Sequence, residues 1–422
     1  MIIKSKTLCA AAIIVTVAVL TAVAGDWPNW HGPDWNNKSK ETGLLKEWPK
    51  DGPKLLWTAK GMGEGYSSVS VAGGVIYTAG AKNKANYVFA FDQSGKLLWE
   101  KAAGGVWDAK RAHARQYSGS RATPTVNQGV VYYLSDLGRL LALDAKTGAE
   151  KWSLNLAEKY KAEEMPMYGF SESPLIVGNR LYVSVYGDKT TAVCLDKNTG
   201  SVIWESERVA GGTGDSYAGY ASFVYAENSG FKQLIAFTSG NLYGMNADNG
   251  KVLWTVPFNN SRNNNCTDVI YHDGQVFASS GYGRGSILVK LSAKDGGVHA
   301  EKVYDIKLMD NHHGGLILHD GRVYGAGHNA KGWFCIDFKT GRQLWNAPGK
   351  GSMTFAEGML YMYDEGGMMT LARAAADKLT PAGSFRVPEG GKGAYWARPV
   401  VSNGVLYVRH ADNMYAYDVK GK

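Results

Sequence analysis

Two adjacent imidazoles followed by glycines, His312 and His313 in the run "DNHHGG" at 310 to 315, are the side chains of this sequence best suited to meeting a ligand. Imidazole donates and accepts near neutrality, and glycine lets a ligand approach the backbone. Asn311 adds an amide beside them. Arg115, Arg121 and Arg284 offer forked donors for an anion. Glu172 and Glu64 offer oxygen to a cation, and Tyr66, Tyr117 and Trp396 offer faces to a flat ring. Each group also has a plainer reading: hydrogen-bonded histidines, arginines paired with carboxylates, solvated loop carboxylates, and rings packed on strand edges. Neighbours on a strand point to opposite faces, so the histidine pair lacks metal-ligand spacing and no metal site is read. The sequence carries no G-x-S-x-G elbow, Walker loop, H-E-x-x-H or Rossmann fingerprint. "GYGRG" at 281 to 285 reads as a hairpin turn.

The elements that must position these residues are written in repeats. "ALDAKTGAEKW" at 142 recurs as "CLDKNTGSVIW" at 194 and "CIDFKTGRQLW" at 335. Its Asp position falls at Asp92, Asp144, Asp196, Asn246, Ser292, Asp337, about Ala372 and Asp418, giving eight units of four short strands each. That spacing predicts an all-β fold, an eight-bladed β-propeller of four-stranded antiparallel blades. Seven blades is the other count the pattern allows, because the fifth and seventh units lack the closing tryptophan. Asp, Thr and Gly suit a tight turn. The tryptophans Trp57, Trp99, Trp152, Trp204, Trp254 and Trp345 are expected to dock one blade on the next, each opposite a small residue that makes room. The last unit ends without its tryptophan strand while "GPKLLW" supplies an orphan one ending at Trp57, so the N-terminal strand should close the ring and remove an exposed edge. The propeller domain is then 53 to 422, preceded by an arm at 25 to 52.

Aligning the units on the tyrosine of the second strand puts Tyr66, Arg121, Ser171, Cys266, His313, Lys350 and Trp396 in one column, with Tyr220 as a looser match. The column should line the propeller axis. Its irregularity in an otherwise repetitive molecule points to an asymmetric use.

Lys4 and Lys6 precede an apolar run that closes on Ala22-Val23-Ala24, the pattern of a leader cleaved after Ala24. A periplasmic or secreted protein with no membrane span after cleavage is expected. The net charge of +8 is scattered without runs, which argues against a nucleic-acid stripe. Cys194 and Cys335 fill the small first slot of the repeated phrase, where buried thiols pack as small hydrophobes; with Cys266 they make an odd number, and no structural disulfide is expected.

The A-x-D-x-x-T-G-x-x-x-W copies resemble the tryptophan-docking repeats of the PQQ-type propeller superfamily, which holds quinoprotein alcohol dehydrogenases and the outer-membrane assembly scaffold BamB. "DWPNWHGP", "NHHGG" and "LYVRHADNMYAYDV" look like the exported PQQ-like repeat proteins of planctomycetes and related bacteria. The resemblance implies a binding or scaffolding module of the cell envelope, a monomer taking envelope proteins or a small anionic ligand. Its alternative is a quinoprotein-like alcohol or sugar dehydrogenase with PQQ and Ca2+ in the axial funnel. The adjacent cysteines and the C-x-x-C-H haem module of the large enzymes do not occur in this sequence.

Overall fold

The computed structural model describes residues 25–107, 117–162, 167–209, 217–228 and 230–421. The leader and Arg115 lie outside the described residues. The chain forms eight sheets arranged as a propeller, and among the described residues it is all-β apart from the one-turn helix Leu156–Lys159. Blades 1 to 7 span residues 70–105, 125–155, 175–205, 224–257, 270–306, 317–348 and 351–386. The eighth joins three strands within 400–418 to the strand Lys54–Ala59, which runs antiparallel to Asn413–Asp418 with Trp57 opposite Ala416. First and last strands of the ring therefore share one sheet, so the blade is completed by chain from both ends.

An apolar cluster fills each of the eight seams between neighbouring blades. The repeated phrase builds these seams. The Asp144 carboxylate accepts from the Lys146 and Thr147 amides and from the Thr147 hydroxyl, closing the turn that Gly148 completes at positive φ. Trp99 lies against Gly148 and donates its indole N–H to Ala145 O at 3.1 Å. Trp152 does the same with Gly200 and Lys197 O, and Trp204 with Gly250 and Ala247 O. Across its own sheet each tryptophan faces a small residue, Ala142 for Trp152, Cys194 for Trp204 and Cys335 for Trp345. Cys194 and Cys335 are buried free thiols.

The two units without tryptophan substitute another ring. In blade 5 Tyr304 lies on Gly341 and donates its hydroxyl to Phe338 O at 2.8 Å. In blade 7 Phe385 lies against Gly52, in the turn that leads into the closing strand. At six of the eight seams a large aromatic ring lies over a turn glycine, and the indole is one way to supply it. Trp254 departs from the others, giving its N–H to Gln233 Oε1 within its own blade.

Residues 25–48 thread into the ring. Trp27 pairs with Val71 of blade 1, Pro28 O accepts from Val126 of blade 2, Asn37 donates to Leu316 O of blade 6, and Lys38–Ser39 pairs in parallel with Phe355 and Ala356 of blade 7. Blades 2 and 6 stand on opposite sides of an eight-membered ring, so the segment crosses the axis.

Candidate functional site: an axial cavity floored by the arm

Where a blade's first strand begins, its backbone runs closest to the axis, and the side chain entering it points inward. One cavity of about 880 Å3 lies on the axis, and it is lined by Tyr66, Arg121, Ser171, Tyr220, Cys266, His313, Lys350 and Trp396, one residue from each of the eight blades. Met167, Tyr168, Arg262, Tyr282, His312 and His328 fill in between them, and Trp30 and Asp268 also reach the lining.

Two residues further along each chain segment, a second tier closes the ring below the first. The Ser68 amide donates to Thr123 Oγ1, that of Thr123 to Ser173 Oγ, and that of Ser173 to Ser222 Oγ, each at 3.0 Å; the Ser222 amide then donates to Asp268 Oδ1 at 2.6 Å. These bonds run from blade to blade and tie the axis as a belt. The belt changes chemistry where the arm enters. Asp268 Oδ2 accepts the Trp30 indole N–H at 2.7 Å and lies 3.2 Å from His31 Nε2. From blade 8, Arg398 donates to Trp30 O and Asn37 Oδ1, with its guanidinium 4.0 Å from the Trp30 ring centroid. A Cβ at Gly315 would fall on that guanidinium, so blade 6 leaves its tier position empty to admit it. Burial pulls the Arg398 pKa down to about 10 while Asp268 opposes that fall. Asp268 feels burial in the other direction, yet His31 and Arg398 hold it below the usual carboxylate range.

The walls differ in character. On the side of blades 8, 1 and 2, Trp396 stacks on Tyr117 at 5.2 Å and 18° and meets Tyr66 at 4.9 Å. Arg121 sits among Trp107, Tyr66 and Tyr168, its charged carbon 5.2 to 5.9 Å from their centroids, and gives its N–H groups to Tyr168 O at 2.8 Å, Gly119 O and Tyr117 O. It acts as a clamp on the loops of its own wall. Across the cavity, His312 lies 4.7 Å from His313, 4.6 Å from His328 and 4.9 Å from Tyr282, centroid to centroid. Among the described residues neither buried ring nitrogen of His312 has a hydrogen-bond partner. Burial lowers the His312 pKa well below its ordinary value, helped by His313, and takes His328 to about 4. Glu365 joins this wall to the other: it lies 3.0 Å from Lys350 Nζ and 3.4 Å from His313 Nε2, and accepts the Trp396 indole N–H at 3.0 Å. Although burial would raise it, His313 and Lys350 hold Glu365 at about 2.

The structure thus brings Tyr66, Arg121, His312, His313 and Trp396 together and leaves three of the other sequence candidates out of the lining. Asn311 is buried behind it, donating to Ala326 O and accepting from Thr267 Oγ1. Arg284 pairs with Asp305 at 2.8 Å and lies over Phe258, away from the axis. Glu172 is buried inside blade 3, accepting from the Ser184 amide and the Tyr186 hydroxyl. The two histidines share a wall because residues 311–315 bend before the strand Ile317–His319 starts, so strand alternation does not govern them. Burial pushes the Cys266 thiol up to about 12, which disfavours the reactive thiolate. Tyr168, Arg262, Asp268, Tyr282 and Glu365 were not legible as site residues. For Asp268 and Arg398 a signal existed: an acid and a base stand where five of the other blades carry Ser or Thr and blade 6 carries Gly315.

Burial raises Glu172 to about 7, so the folded state holds its proton more tightly than the unfolded chain does. Stability should therefore fall as pH rises from about 4.5 to about 7, with a limiting slope of about 1.4 kcal/mol for each pH step of one. Glu172→Gln, which removes the charge while its amide oxygen can still accept from Ser184 and its nitrogen can donate to the Tyr186 oxygen, should flatten that fall in denaturant titrations at pH 5 and 8. An unchanged slope would place the titration elsewhere.

Fold and site define a tryptophan-docked, eight-bladed propeller with an axial cavity floored by its own N-terminal segment. The chain belongs to the family described as Outer membrane protein assembly factor BamB, whose profile matches residues 84–347, more than half of its length. It is 30% identical over 154 residues to a quinoprotein ethanol dehydrogenase of Pseudomonas aeruginosa, covering 33% of this chain and 23% of that protein. It is 24% identical over 250 residues to BamB of Yersinia pestis, covering 54% and 57%. The chain thus spans about a quarter of that dehydrogenase and little more than half of that BamB. Among solved structures, BamB from Moraxella catarrhalis superposes with a TM-score of 0.59 at 16% identity, covering 87% of this chain and 99% of that one. The quinohemoprotein alcohol dehydrogenase ADHIIG from Pseudomonas putida gives 0.61 at 15%, covering 94% and 81%. These two likenesses concern the fold.

Proposed function

We propose that this protein is an exported binding propeller that takes a small, flat, anionic molecule into its axial cavity. The observation that carries this reading is the cavity itself: about 880 Å3, floored by Trp30, with Tyr66, Tyr117 and Trp396 on one wall and the cations Arg121, Arg262 and Lys350 on the lining. Pockets of that size suit cofactor-like ligands, and aromatic faces with a few placed charges favour a flat anion over a peptide. Export rests on the leader pattern ending at Ala24. Among the described residues no helix is long and apolar enough to cross a membrane.

The family raises PQQ with Ca2+ as the occupant. The aromatic wall and the lining cations fit a flat quinone bearing carboxylates, which when bound supplies two-electron oxidation; Tyr66, Tyr117 and Trp396 would flank its rings and Arg262 would face its charge, Lys350 being paired with Glu365. The calcium fits less well. The carboxylates that reach the lining are already engaged, Asp268 by Trp30, His31 and Ser222, and Glu365 by Lys350 and Trp396. Among the described residues no three His, Cys, Asp or Glu side chains are grouped to hold a metal ion. Binding without dehydrogenase turnover is therefore the better reading.

The test is to mix purified protein with PQQ, with and without Ca2+, and follow indole fluorescence, quinone absorbance through gel filtration, and dye reduction with alcohols and sugars. Quenching and co-elution independent of Ca2+, without dye reduction, are expected. Calcium-dependent dye reduction would instead make it a quinoprotein dehydrogenase. Absence of quinone binding, with envelope proteins recovered by cross-linking, would make it a scaffold.

A further inference from the structure

The connection between blades 4 and 5 is rich in asparagine, "NNSRNNN" at 259 to 265, and Asn260, Asn264 and Asn265 are buried. Asn260 Oδ1 accepts the Arg262 amide at 2.8 Å and the Asn264 amide at 3.3 Å, while its Nδ2 donates to Ser280 Oγ of blade 5 at 2.7 Å. Asn265 Nδ2 donates to Thr238 O of blade 4 at 2.9 Å, and its Oδ1 accepts from the same Ser280 hydroxyl at 2.7 Å. Asn263 turns the chain at a φ of +53°, which asparagine tolerates better than most residues. Buried amides thus tie the loop to both blades, and its apex, Ser261 and Arg262, stays exposed on the lining of the axial cavity. Arg262 differs from the other cations there. Arg121 is committed to three carbonyls and Lys350 to Glu365, whereas among the described residues no carboxylate pairs with Arg262. Tyr168 and Tyr282 share that lining; burial raises both phenols, and the Arg262 charge opposes the rise in each. A free guanidinium fork beside two phenols is a set of donors, and a planar, acceptor-only group suits it.

We propose that Arg262, held out by this loop, selects a carboxylate, so that the axial cavity takes flat aromatic acids with the acid group at Arg262 and the ring toward Tyr66, Tyr117 and Trp396. The proposal rests on the reading of the cavity as a site for a flat anion. A guanidinium on a backbone that is already fixed loses less freedom on binding than one on a loose loop, and that is what the buried amides contribute. Arg262 is the residue that sets specificity, and Asn260 positions it. Because Arg262 is exposed, water and salt screen its attraction, so the preference for an acid over its uncharged counterpart should be about fivefold to tenfold and should shrink as salt rises.

Naphthalene carboxylate and its uncharged counterpart naphthalene carboxamide are the probes, titrated calorimetrically into the purified protein and into Arg262→Met, Arg262→Lys and Asn260→Ala. The unaltered protein should bind the acid about fivefold to tenfold tighter than the amide. Arg262→Met should bring that ratio to about one, and Arg262→Lys, which keeps the charge without the fork, should restore part of it. Asn260→Ala should narrow the ratio too, a change that general loosening of the fold would not produce, since loosening weakens acid and amide alike. The melting temperature of Arg262→Met should match that of the unaltered protein, because the side chain lies exposed at the apex of the loop. A preference retained in full by Arg262→Met would overturn the proposal and leave the anion to Arg121 or Lys350. Equal binding of acid and amide by the unaltered protein, or binding of neither, would overturn both the proposal and the reading of the cavity as a site for a flat anion.

Discussion

Replacing Trp152 with alanine should lower the unfolding free energy by about 3 to 5 kcal/mol, the range for large aromatic truncations in packed interiors. Trp152 stands opposite Ala142 in blade 2, lies against Gly200 of blade 3 and donates to Lys197 O at 3.0 Å, so its removal opens the seam between two blades and leaves a carbonyl without its donor. Surrounding atoms cannot collapse into the gap, because both sheets are pinned by their other seams. Trp152→Phe separates the contributions: it keeps most of the ring and loses the hydrogen bond, which should cost nearer ~1 kcal/mol. Guanidinium unfolding followed by tyrosine and tryptophan fluorescence measures both. An unchanged midpoint for Trp152→Ala would mean that the repeated phrase does not dock blades.

Asp268→Ala should be comparably damaging, about 3 to 5 kcal/mol, for a different reason. Its carboxylate joins the belt at Ser222, holds Trp30 and His31, and balances Arg398, itself 2% exposed. Arg398 does not touch the Asp268 carboxylate, but it is buried and that charge offsets its desolvation, so removing Asp268 leaves a buried cation less compensated. The double change Asp268→Ala with Arg398→Met should recover part of the loss, since no orphan charge remains. Because the arm depends on this cluster, proteolysis at Lys38 and Lys40 should accelerate in Asp268→Ala before global unfolding. Equal proteolysis in the two proteins would show that the arm is held by its apolar contacts alone.

How far the site could be read in advance follows from the periodicity. Tyr66, Arg121, His313 and Trp396 were accessible because a propeller repeats its geometry, so an irregular column in the alignment is a line around the axis. Arg121 shows the limit of that inference. Its position was legible, but its commitment to three carbonyls and three rings depends on Tyr117, Trp107 and Tyr168, which the repeats do not align. Arg284 and Glu172 looked equally eligible as charges near the column, and a pairing with Asp305 or a turn into the blade leaves no trace in the local sequence.

By itself the sequence determined the all-β class, a propeller of eight units with seven as the other count, and the wedging of blades by tryptophans opposite small residues, because these are local, repeated solutions to packing one sheet on the next. It did not show Tyr304 and Phe385 as substitutes, since a ring over a glycine is defined by distance and not by residue name. Only the tertiary structure decided that residues 25–48 cross the axis and floor the cavity. Asp268 and Arg398 are 130 positions apart, and both lie more than 230 positions from Trp30; what joins them is the closed ring, which brings every blade's inner strand to one axis. Long-range charge compensation of this kind is fixed by closure of the whole ring.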